Sequence, residues 1–153
     1  MNIAWLYLDK RNAVINALRD YESMNYIIEN IQSKVIATQE DMISLSSPIL
    51  SDMPKCPHNP HAGENRIAKA MDTVSMLEAR YDRALEYVAW FHPAWQGLSE
   101  DEQYVLCQFY MKEGTAQADT ISEICEHFHI ERSSAYKKKD RALTHLTLLL
   151  YGK

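Results

Sequence analysis

Apolar side chains recur along the first part of the chain at steps of three and four. Val14, Leu18, Tyr21, Met24, Ile28, Ile31 and Val35 fall on one stripe, with acids and bases on the other face. That spacing predicts a helix over about residues 8–37. Ile67, Met71, Val74, Leu77, Tyr81, Leu85 and Val88 form a second stripe and predict a helix over about 64–92. Pro93 is expected to end it, because proline disfavours helical geometry in the residue before it. Residues 38–63 hold four of the five prolines together with many Ser and Asn, and read as an irregular connection. Ile43, Leu45, Ile49, Leu50 and Met53 give that connection something to pack with. Two helices joined in this way can fold back as an antiparallel hairpin. The spacing from Tyr21 to Val35 is nearly heptad, which also suits an oligomerisation seam, so the hairpin is expected to form a homodimer or to dock a partner. Trp90, Phe91 and Trp95 then fall at the junction with the C-terminal part.

Ser99 opens the next element. In SEDE the serine is an N-cap and Glu102 the third helical residue, a capping box. The helix is expected to run to about Lys112, with Val105, Leu106, Phe109 and Tyr110 inside and Gly114 as C-cap. A short helix over about 120–127 buries Ile121, Ile124, Cys125 and Phe128. A tight turn at 129–131 leads to a last helix over about 132–150, with Ala135, Ala142, Leu143, Leu146 and Leu150 inward. Only four glycines and five prolines occur in 153 residues, so few turns are encoded. The expected fold is all-α: a long helical hairpin over 1–95, with its irregular loop at 38–63, followed by a C-terminal helix-turn-helix over 96–153.

Charge changes the picture at one place. The net charge of −5 argues against a general nucleic-acid binder, because phosphates repel a negative surface. Yet Arg132, Lys137, Lys138, Lys139 and Arg141 lie within ten residues that contain one acid, Asp140. One short basic face on an acidic body is a localised electrostatic footprint. A helix-turn-helix needs a short first helix with small and apolar residues, a compact turn, and a second helix exposing polar and basic groups. Cys125 is small enough to let two helices approach, Ile130 plugs the space beneath the turn, and Ala135 leaves room on the second helix. Arg132, Ser133 and Ser134 then occupy the first turn of the last helix, where base edges and phosphates are reached. Arg132 suits a bidentate contact to guanine. Lys137, Lys138 and Arg141 suit phosphate neutralisation, which positions a protein without reading sequence. The expected partner is therefore double-stranded DNA, met in the major groove.

The order EIC-x3-HI-x-RSSAY-x7-L resembles region four of bacterial sigma factors. The preceding LSEDEQYVLCQFYMKEG and the trailing ALTHLTLLLYGK resemble the neighbouring helices of that module. The likeness covers about a third of the chain. The whole layout, including SPILSDMPK in the connection, is similar to phage-encoded regulators of the RinA/ArpU type. The resemblance implies phage or prophage origin, control of late genes and contact with RNA polymerase. His129 stands where that pattern often has glycine, and Glu131 where it often has serine. The chain has no room for the other sigma regions.

Other chemistries are weakly supported. Cys56, His58 and His61 form C-x-H-x2-H, which is not a standard zinc spacing and sits among prolines. No metal or other cofactor is expected. Neither a phosphate-cradling glycine loop nor a glycine-framed nucleophile occurs, and Asp119 and Glu123 read as acids favoured at a helix start. An enzyme is not expected. Three cysteines without CxxC, no signal-peptide pattern and no apolar run of membrane length point to a cytoplasmic protein without a membrane partner. Two other readings combine the same parts: a packaging protein of the small-terminase type, and a protein-interaction module without DNA binding.

Overall fold

A computed structural model describes residues 9–46, 61–112 and 114–152. They are helical, with no strand among the described residues. The order is α1 (Lys10–Ser46), α2 (Ala62–Gln96), α3 (Glu100–Leu106), α4 (Gln117–Phe128) and α5 (Arg132–Tyr151), with a π-helical turn at Cys107–Met111 directly after α3. Among the described residues no helix is long and apolar enough to cross a membrane. Ile49, Leu50, Met53, Cys56 and His58 lie outside the described residues. His61 is exposed, with Nδ1 3.1 Å from Oε2 of Glu64.

The two long helices both exceed their expected bounds. α1 continues through residues 38–46, where an irregular connection was expected. Residues 37–46 are ATQEDMISLS, with Ala, Gln, Glu, Met and Leu as good helix formers. The influence of proline is local: Pro48 disfavours helix only at residue 47. α2 passes through Pro93 and ends at Gln96. The missing proline N–H removes one helical bond at a cost of about 3 kcal/mol. Burial of Phe91, Ala94 and Trp95 around it offsets that cost, since each large apolar side chain contributes roughly 1.5–3 kcal/mol. The α2 stripe also differs from the expected one. Met71 and Leu85 are exposed, whereas Ala84 is fully buried.

The chain divides into two compact units, residues 25–86 and residues 1–24 with 87–153. In the first, Ile31 and Val74 are buried, and Nε2 of Gln32 donates to the Tyr81 hydroxyl at 3.0 Å. In the second, Val14, Ala17 and Leu18 of α1 share a core with Phe91, Ala94 and Trp95 of α2, Leu106, and Ala142, Leu143 and Leu146 of α5. Aromatic rings knit this core: Phe91 stacks on Tyr87 at 5.4 Å and on Trp95 at 5.9 Å. The Tyr87 hydroxyl donates to the Ala17 carbonyl. Burial, then the nearby charge of Asp20, pushes its pKa well above the usual phenol range.

A smaller cluster joins α3, α4 and α5. Val105, Ile124 and Ala135 are buried, with Tyr104, Phe109, Cys125, Phe128 and Ile130 packed around them. The π-helical turn serves both cores: Phe109 enters this cluster, while Cys107, Tyr110 and Met111 pack against the larger one.

Candidate nucleic-acid interface

The geometry of this region begins with a left-handed turn. α4 ends at Phe128, and His129 adopts φ 53 and ψ 47. The N–H groups of His129 and Ile130 both reach the Cys125 carbonyl, the latter at 3.1 Å. This is the helix end usually made by glycine; histidine is among the better tolerated substitutes. Glu131 is extended, and its carbonyl accepts from Ser134 at 2.9 Å and from Ala135 at 3.0 Å to start α5. Its side chain makes no capping bond. Ile130, Cys125 and Ala135 meet beneath the turn.

Successive residues of α5 rotate by about 100°. Ala135 and Ala142 point to the core, so Ser133, Lys137, Asp140 and Arg141 occupy the opposite side. Arg132, Ser133, Lys137 and Arg141 are all exposed, and Ser134 is half-buried on one flank. Among the described residues, Arg132, Lys137 and Arg141 have no ion-pair partner.

The other two lysines of the run are held by the protein. Nζ of Lys138 lies 3.5 Å from Asp101 and 4.1 Å from the centre of the Phe128 ring. It therefore braces α5 against both α3 and α4. Nζ of Lys139 lies 5.2 Å from the ring centres of Phe109 and Tyr136, and 3.9 Å from Asp140. Both contacts are of the cation–π kind. Of the six residues expected to meet DNA, five thus present free or partly free polar groups, and Lys138 is turned toward its own fold.

Asp140, Asp101, Glu123 and Glu102 are engaged, whereas Glu131, beside Arg132, is exposed and has no ion pair among the described residues. Arg11, at the start of α1, places Nη2 2.6 Å from Oδ1 of Asp140. Asp101 is paired with Lys138, and Glu123 lies 2.9 Å from Nζ of Lys112. Glu102 completes the capping box on Ser99 and also receives His145 at 2.9 Å. Burial alone would raise its pKa; the hydrogen bonds from the Ser99 backbone, from His145 and from the Ser99 hydroxyl outweigh it and hold the carboxyl below its usual range. His127 is stacked on Tyr104, ring centres 4.1 Å apart. No group of three or more His, Cys, Asp or Glu placed to hold a metal occurs among the described residues.

Two residues escaped the sequence reading. Tyr136 is exposed on α5 between the first turn and Lys137, and its place in the basic run could have revealed it. Arg11 is 129 residues from Asp140, and no local signal announces that pairing. No protein-family model, curated protein or solved structure matches the chain.

Proposed function

We propose that α4, the turn at His129 and α5 form a DNA-binding helix-turn-helix, and that the protein regulates transcription. The observation that carries this reading is the division of labour among the charges. Among the described residues Arg132, Lys137 and Arg141 stay exposed without an ion-pair partner, while Asp140, Glu123 and Asp101 are matched by other cations. In this reading α5 enters the major groove, Arg132 and Ser133 reach base edges, and Lys137, Arg141 and Ser134 meet phosphates. The amino end of α5 adds a favourable dipole for phosphate. Lys138 acts as a brace. The likeness to sigma region four supports a module presented to RNA polymerase at a promoter, in a phage or prophage setting. Exposed Ile36, Ile43 and Met71 in residues 25–86 support a role for that unit in forming a homodimer.

The test is selection of duplexes from a random pool by the full chain, followed by affinity measurement across a salt series. One enriched motif with affinity falling steeply as salt rises supports the reading, because phosphate contacts release counterions. No enrichment and salt-independent binding overturn it.

A further inference from the structure

We infer that Tyr136 is a specificity-determining residue that reads the 5-methyl group of a thymine in the bound duplex; this rests on the DNA-binding reading above. Tyr136 keeps 38% of its surface exposed although it is large and apolar. It lies three residues after Ser133 and directly before Lys137, so helical geometry puts it about 60° from Ser133 and about 100° from the buried Ala135, on the flank of the exposed face. Its ring is held from behind. The Phe109 ring centre is 6.3 Å away, and Nζ of Lys139 is 5.2 Å from the Tyr136 ring centre. Lys139 is itself drawn toward Asp140, and Asp140 is paired with Arg11. A braced ring loses little conformational freedom when it meets a partner.

The neighbours decide what that partner is. Ser133 and Lys137 flank the ring with groups for phosphates and base edges. An apolar surface set among such groups in the major groove matches the thymine methyl, the apolar feature that groove presents. Asp140, next along the same face, would repel a phosphate if unpaired; with Arg11 upon it, the duplex can approach.

The experiment uses the full chain and the duplex that it enriches from a random pool. Each thymine is replaced in turn by deoxyuridine, which lacks only the methyl group. Affinities are measured for the wild type, Tyr136→Phe and Tyr136→Ala, with helical content checked by circular dichroism. For the wild type and Tyr136→Phe, one replacement weakens binding about four-fold, the worth of one buried carbon group. For Tyr136→Ala that replacement has no effect. A methyl preference that survives in Tyr136→Ala, a loss of it in Tyr136→Phe, or no methyl preference in the wild type overturns the assignment while leaving DNA binding intact. Failure to enrich any duplex overturns both.

Discussion

Nδ1 of His145 on α5 lies 2.9 Å from Oε1 of Glu102, the residue that closes the capping box of α3. One carboxylate thus serves a helix start and an interhelical contact. Its folded pKa is lowered, so its stabilising contribution is present above the ordinary carboxylate pKa and is lost as pH falls through the folded value. Glu102→Gln keeps a capping side chain but removes the charge. The variant should melt at lower temperature at neutral pH, and its Tm should fall less than that of the wild type as pH drops below about 4. Equal acid limbs in the two melting profiles would refute the role.

Lys137 and Lys138 are adjacent in sequence and differ in surroundings. Lys137→Ala should weaken binding to all duplexes and reduce the salt slope by about one. Lys138→Ala should change the slope less and lower thermal stability, since it strips Asp101 and Phe128 of their partner. A matched salt series on both variants, with thermal melts, checks the contrast; equal loss of slope contradicts it.

The left-handed His129 offers a test of the turn. His129→Val puts a branched side chain where the backbone crowds it and should cost about 1–2 kcal/mol in urea unfolding. His129→Gly relieves the crowding and should be neutral or stabilising by up to about 1 kcal/mol. A valine variant as stable as the wild type would rule out this backbone geometry.

The core of residues 1–24 and 87–153 predicts the behaviour of a fragment. Residues 96–153 alone lack Val14, Leu18, Phe91 and Trp95, which bury Leu106, Leu143 and Leu146. The fragment should lose cooperative thermal unfolding by circular dichroism, whereas the full chain keeps it. A sharp transition in the fragment would show that the shared core is dispensable.

Local chemistry made much of this legible. The capping box at Ser99 is written in four consecutive residues, and the structure shows both of its hydrogen bonds. Ile124, Cys125, Ile130 and Ala135 meet because their sizes and spacing suit two close helices. Several of the failures share one cause, the weight of distant partners. Pro93 stays helical because Phe91, Ala94 and Trp95 around it share a core with Val14, Leu18, Leu143 and Leu146. Ala84 is buried in place of Leu85, and an alanine gives little signal in an apolar stripe. Arg11 at Asp140, and Lys138 at Asp101, join elements whose proximity no local pattern encodes.

Arg11 beside Asp140 has a consequence for biosynthesis. The first described helix and the last one share a core, so their docking joins Arg11 to Asp140 across 129 positions of the chain, a closure whose entropic cost grows only slowly with length. Until Leu143 and Leu146 are made, Val14 and Leu18 have Phe91, Trp95 and Leu106 of that core, but not these two leucines, to pack with. The core that carries α5 is therefore completed only once residues at both ends of this stretch have been made.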